Sequence, residues 1–284
     1  MKSSLGKTLR EVRKGKRVSI CKIADGYLSK SQISRFERGE SEISCIRLMN
    51  ILDKLNITLE EFLTIHSNEN YPNNFINLIK YIQEEYSKQR FSNIKLLLNK
   101  DVKYKISSLE RTMIKSIIYT FDKSIKPTKN ELLELSDYLF KIEKWGYYEI
   151  ILLGNCVRTL NYDTLFLLTS EMVKNYFYCF VSKTNKRLVT ELALNCLIAS
   201  IDNYRFNHCN FLIQEIESLL KNELSYYEKT VFLYAKGYFE LKQNNKIEGK
   251  HKMKQALQIF KLLDDKPTFM RYNEHYSLIF KDEQ

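Results

Sequence analysis

The sequence is 284 residues long, 44% hydrophobic and 28% charged, which is enough apolar material for one or two folded domains and too much for a disordered chain. Its eight glycines and three prolines are about a third of the usual share, which argues against β-rich folds and glycine-rich phosphate loops and for an all-α protein. The net charge of +11 is concentrated: residues 1–38 hold eleven Lys or Arg against three acidic residues, a net of +8, leaving +3 for the other 246. A basic head on a nearly balanced body is the electrostatic footprint of nucleic-acid binding.

In chain order, the first 65 residues read as five short helices. Leu5, Leu9 and Val12 form an apolar stripe flanked by Lys7, Arg10, Arg13 and Lys14. Ser19 is placed to cap a second helix with Ile20, Ile23 and Ala24, which Gly26 ends. Ser29-Lys-Ser-Gln32 is a capping-box pattern that opens a third helix running to about Arg38 and stopped by Gly39. Ser44 caps a fourth helix with Ile46, Leu48, Ile51, Leu52 and Leu55, and Thr58-Leu-Glu-Glu61 starts a short fifth that buries Phe62. Residues 1–66 are therefore the first domain. Residues 67–74, polar and broken by Pro72, are the expected linker to a second domain over 75–284.

Helical spacing resumes with Phe75, Leu78, Ile79, Ile82 and Tyr86. It continues as segments of 12–18 residues separated by polar breaks at 126–129, 183–186, 242–246 and 264–267. Asn155, Asn195 and Tyr234 recur 40 and 39 residues apart, each inside an apolar helical segment. Leu233 to Phe260 carries small residues, Ala235, Gly237 and Ala256, where packed helices would approach. Helix pairs at this period predict a tetratricopeptide-like α-solenoid, with a plain helical bundle as the alternative.

The six cysteines (Cys21, Cys45, Cys156, Cys179, Cys196, Cys209) have no C-x-x-C pair, and the four histidines have no ligand spacing, so reduced thiols and no structural zinc are expected. No cofactor is expected. Uncharged runs such as Leu192–Ile201 reach ten residues, too short for a membrane span, and the amino terminus opens without an apolar signal core. The expectation is a cytoplasmic protein without a membrane partner. None of the phosphate-loop, dinucleotide, zinc-hydrolase or nucleophile-elbow motifs occurs, and His208 with Cys209 offers no third group, so enzymatic activity is not expected.

The segment Ser19–Glu40 reads as a helix-turn-helix. The run from Leu28 to Glu40, Leu-Ser-Lys-Ser-Gln-Ile-Ser-Arg-Phe-Glu-Arg-Gly-Glu, closely resembles the recognition-helix signature of phage-repressor-type (XRE) regulators. Ser31, Gln32 and Arg35 are expected on its outer face, with Gln32 paired bidentately to adenine and Arg35 to guanine. Arg10, Arg13, Lys14, Lys30 and Arg38 are expected at backbone phosphates of double-stranded promoter DNA. Glu37 is expected to be a buried partner of an arginine in the first helix.

Beyond that motif, Trp145-Gly-Tyr-Tyr-Glu-Ile-Ile-Leu-Leu-Gly-Asn155 and Tyr227-Glu-Lys-Thr-Val-Phe-Leu-Tyr234, with the chain length, resemble the Rgg family of streptococcal regulators, and within it the receptors for short hydrophobic peptide pheromones. The resemblance implies a cytosolic homodimer whose repeat domain binds such a peptide on its concave face and so controls transcription. Asn155 and Asn195 can exchange hydrogen bonds with an extended peptide backbone. Arg158, three residues from Asn155, can hold a peptide carboxylate, and Tyr227, Tyr234 and Tyr238 can supply apolar walls with polar tips. Buried packing roles are the competing reading for the asparagines and tyrosines, and an internal salt bridge for Arg158. Cys45, at the start of the fourth helix, is either a small packed residue or half of a disulfide between two subunits. The competing function is a phage- or plasmid-type repressor whose helical domain only dimerises or binds a protein antagonist.

Overall fold

The computed structural model describes residues 5–70, 74–99, 104–175 and 183–280. Among these the secondary structure is entirely helical, and no helix is long and apolar enough to cross a membrane. The chain divides into two compact units, residues 1–77 and 78–284.

The first unit contains α1 (Leu5–Gly15), α2 (Ile20–Ile23), α3 (Lys30–Glu37), α4 (Cys45–Lys54) and α5 (Leu59–Asn70). Local chemistry sets the boundaries. The Ser29 hydroxyl accepts the Gln32 amide while the Gln32 side chain accepts from the Ser29 N–H, so the capping box closes. Thr58 and Glu61 do the same at the start of α5. Gly39, at φ 75°, turns the chain out of α3. Leu9, Ile23, Ile33, Ile51, Leu52 and Phe62 are fully buried in one core. Gly6 lets α1 approach α3: a Cβ there would lie 1.8 Å from the Phe36 carbonyl oxygen. Helix α5 continues to Asn70, four residues into the expected linker, because nothing helix-breaking precedes Pro72; residues 71–73 lie outside the described residues.

The second unit follows from α6 (Asn74–Ser87), within which the division falls, and α7 (Phe91–Leu96). Four helix pairs come next. They are α8 (Ser108–Ile118) with α9 (Lys129–Phe140), α10 (Tyr147–Cys156) with α11 (Tyr162–Lys174), α12 (Lys183–Asp202) with α13 (Phe206–Leu220), and α14 (Tyr226–Lys242) with α15 (Lys246–Leu262). A last helix, α16 (Lys266–Ile279), follows, with Pro267 in its first turn. The pairs stack in two layers: α8, α10, α12 and α14 each pack on the next, and α9, α11 and α13 form the other layer. The first layer is the more closely packed, and in a curved helical array the more closely packed layer lines the inner face. At the α14–α15 crossing, a Cβ on Gly237 would meet the Gly249 carbonyl at 2.7 Å, which is why both positions are glycine. The solenoid expectation holds. The polar run 183–186 is not a break, however, but the first turn of α12, in which Lys186 pairs with Glu223.

Burial lowers the pKa of both His208 and His275. His208 stacks on Phe166 at 3.6 Å between ring centroids and meets the Tyr162 hydroxyl, and desolvation, helped by Arg205, lowers its pKa. Desolvation likewise lowers His275, beside Tyr234 and Tyr238. A histidine whose folded pKa lies below its unfolded value of about 6.5 favours the fold fully above that pH and progressively less below it. The urea midpoint should therefore be flat from pH 8 to 7 and fall between pH 6.5 and 5, with a shallower fall in a His208→Gln, His275→Gln variant.

Candidate functional site

In the first unit, α3 presents its polar face outward: Lys30, Ser31, Gln32 and Arg35 are exposed, while Ile33 and Phe36 are buried. Arg10 and Lys14 are exposed on α1. Arg13 is not a phosphate contact. It is 7% exposed, its Nε and Nη2 donate to the two Glu37 carboxylate oxygens at 2.6 and 2.7 Å, and its Nη1 donates to the Val18 carbonyl at 2.8 Å. The arginine expected opposite Glu37 is thus Arg13, which joins α1 to the end of α3. The carboxylate holds the guanidinium in its charged form and raises its pKa. Gln32 is also constrained. Its Oε1 accepts the Ser29 N–H at 2.9 Å, so a bidentate pairing with adenine would have to break the cap; as folded, its Oε1 is spent on Ser29 and its amide hydrogens are what it has left to donate. Arg38 forks onto Glu40 at 2.6 and 2.7 Å with Nη1 on the Ser34 hydroxyl, so a phosphate contact there requires this exposed pair to open. Cys45 is exposed as the first residue of α4, beside exposed Ile46 and Met49.

In the second unit, the residues singled out from the sequence fall on successive helices of the inner layer. Asn155 on α10 is half-buried and spends one amide hydrogen on the Ile151 carbonyl at 2.8 Å. Arg158 lies just beyond that helix: α10 ends at Cys156, and Arg158 is exposed in the following turn. Asn195 is exposed on α12. The tyrosine stripe on α14 divides. Tyr234 is fully buried, its hydroxyl on the Tyr272 carbonyl at 3.1 Å and the His275 Nδ1 at 2.9 Å. Tyr238 is 3% exposed and donates to Asp202 at 2.7 Å. Both phenols are pushed well above the usual range, chiefly by burial. These two are core pins and not ligand walls, because α16 covers that side of α14. Tyr227, nearer the start of α14, remains half-buried, and its hydroxyl accepts from Arg271 at 2.9 Å.

The sequence reading missed the charges around Tyr227. Arg187 on α12 lies 2.9 Å from both Glu191 and the buried Glu228, with its guanidinium 5.9 Å from the Tyr227 ring centroid. Burial raises the Glu191 carboxyl above its ordinary value. The i, i+4 spacing of Arg187 and Glu191 was the available signal; Glu228 and Arg271, on other helices, gave none.

A capped, cation-flanked recognition helix on one unit and a two-layer helical array on the other define a helix-turn-helix regulator with a helical-repeat domain. Residues 94–274 match the family described as HTH-type transcriptional regulator Rgg, C-terminal domain. The chain is 52% identical to the SHP pheromone receptor Rgg2 of Streptococcus dysgalactiae, over 96% of this chain and 98% of that one, with a TM-score of 0.87; the C45S variant of that receptor superposes at 0.88. ComR from S. thermophilus, solved in complex with DNA and its signalling peptide ComS, is 15% identical over 96% of this chain and 98% of its own, TM-score 0.64, a likeness of fold. The chain belongs to the Rgg family of transcriptional regulators.

Arg13→Ala should lower the melting temperature of the first unit, by about 3–5 kcal/mol of stability, because Glu37 is left charged and buried without its partner. Arg35→Ala should leave melting unchanged and lose preference for operator over random DNA. Calorimetry beside DNA-binding titrations reads both.

Proposed function

We propose that the protein is a cytoplasmic quorum-sensing regulator that binds promoter DNA as a dimer through α3 and answers to a short hydrophobic peptide on the inner face of its repeat array. The observation that carries this reading is the unspent hydrogen-bonding capacity on that face. Asn155 keeps a carbonyl and one amide hydrogen, and the Asn195 and Arg158 side chains make no hydrogen bond among the described residues. An extended peptide brings unpaired backbone groups that need such partners. The high identity to an SHP pheromone receptor supports the same ligand class. Two subunits are needed because one recognition helix spans only a few base pairs, and a second half-site multiplies affinity.

The DNA-facing roles are assigned to Ser31 and Arg35 at base edges and to Arg10, Lys14 and Lys30 at phosphates, with Gln32 donating from its amide hydrogens. Asn155, Asn195, Arg158 and Tyr227 are assigned to the peptide.

Fluorescence polarisation with the labelled SHP pheromone of the S. dysgalactiae receptor tests the peptide reading. Wild type should bind saturably, and Asn155→Ala and Arg158→Ala should each weaken binding by about 5- to 50-fold, the range for losing one or two polar contacts. No binding, with operator DNA still bound, would leave the repeat array as a dimerisation scaffold of a plain repressor. A second assignment concerns Cys45: its exposure on the α4 face suits a disulfide between two reading heads. Mild oxidant should give a covalent dimer on non-reducing gels in wild type and none in Cys45→Ser.

A further inference from the structure

The second unit holds six arginines: Arg90, Arg111, Arg158, Arg187, Arg205 and Arg271. Four are matched. Arg90 faces Glu85, Arg111 donates to the Leu98 carbonyl, Arg187 sits between Glu191 and Glu228, and Arg205 lies 4.0 Å from Asp163. Arg158 and Arg271 have no ion pair among the described residues, and Arg158 already belongs to the assignment above. Arg271 is different in kind from Arg158, because it is held in place. Its guanidinium carbon is 4.8 Å from the Tyr272 ring centroid, and one Nη donates to the Tyr227 hydroxyl. Tyr272 is itself 8% exposed and stacked on Phe260, a rigid plate under the cation. The bond from Arg271 to the Tyr227 hydroxyl, whose ring lies 5.9 Å from the Arg187 guanidinium of α12, places it at the amino-terminal end of α14 near α12. A planar cation held on an exposed residue by a ring face and a hydroxyl is preorganised for a bidentate carboxylate.

We propose that Arg271, positioned by Tyr227 and Tyr272, is a carboxylate-binding subsite of the peptide-binding face. The inference rests on the peptide-receptor reading and deepens it: the ligand is an apolar peptide with an acidic group, either its carboxyl terminus or an acidic side chain, seated where α12, α14 and α16 meet. Arg187 does not compete for that group, because two carboxylates already claim it.

The test is a cycle between ligand charge and protein charge. The labelled SHP pheromone of the S. dysgalactiae receptor is compared with two derivatives, one with a C-terminal carboxamide and one with any acidic side chains converted to amides, on full-length wild type, Arg271→Gln, Arg271→Lys and Tyr227→Phe. Wild type should prefer the acid over one of the two amide forms by about tenfold, and which amide loses affinity identifies the source of the carboxylate. Arg271→Gln should bind acid and amide alike, at the affinity wild type has for the amide. Arg271→Lys should restore part of the preference, and Tyr227→Phe, which keeps the ring and loses the anchor, should reduce it. Equal weakening of acid and amide forms in Arg271→Gln would make the residue a packing element and overturn the subsite, as would unchanged binding of both. If wild type binds none of the three peptides, the receptor reading itself fails and takes the subsite with it.

Discussion

A guanidinium withdrawn from water between α1 and α3 fixes the geometry on which the reading head depends. Burying the Arg13–Glu37 pair is tolerable because all three guanidinium nitrogens are bonded: two bonds go to the carboxylate and a third to the Val18 carbonyl in the turn that leads to α2. Three segments are thereby locked to one point. Gly6, two turns before Arg13 and against the carbonyl of Phe36 next to Glu37, allows α1 to come close enough for the fork to reach. The orientation of the recognition helix is thus set from behind by an ion pair and a missing side chain, which leaves its outer residues free for contact with a partner.

The repeat unit solves the same problem with weaker bonds used repeatedly. Each step of its inner layer carries a buried or half-buried hydroxyl that bridges neighbouring repeats. Ser116 of α8 meets Thr159 after α10, Ser200 of α12 accepts from Tyr162 in the preceding pair, Tyr238 of α14 donates to Asp202 of α12, and Tyr234 reaches the Tyr272 carbonyl of α16. The partners are 43, 38, 36 and 38 residues apart, close to the period of the repeat itself. Apolar helices stack in many near-equivalent registers, and a buried polar group that must find one acceptor removes most of them. The tyrosines of α14 are part of this register system, which explains why two of them are covered rather than offered to a ligand.

That distinction marks where sequence reasoning stopped. Helix starts were legible because capping is local: Ser29, Ser44 and Thr58 sit within three residues of the groups they satisfy. The fold class was legible because helical spacing and scarce glycine act over the whole chain. Which face of a helix is covered was not legible, because it depends on an element far along the chain. Tyr227, Tyr234 and Tyr238 look equivalent on a helical wheel, and only α16, nearly forty residues later, separates the two it buries from the one it leaves at the edge. Arg13 failed the same way: a basic residue on a basic helix reads as a phosphate contact until its buried carboxylate partner, twenty-four positions away, is placed beside it. The sequence sets Glu37 against an arginine of α1 without showing which arginines that leaves available to DNA.

The separation between spent and unspent polar groups gives the inner face its direction. Toward the carboxyl-terminal ends of α12 and α14, Asp202 and Tyr238 satisfy each other and are closed to a ligand. Toward their amino-terminal ends, Tyr227 touches two guanidiniums, one neutralised by paired carboxylates and one not. Helix α16 is fastened through Tyr272 at the same place where Arg271 projects. A ligand that engages Arg271 therefore loads the last helix of the stack directly, and through the Tyr234 hydroxyl it loads α14 as well. Coupling of that kind needs no moving wire between distant sites, only a terminal helix whose docking equilibrium the ligand shares.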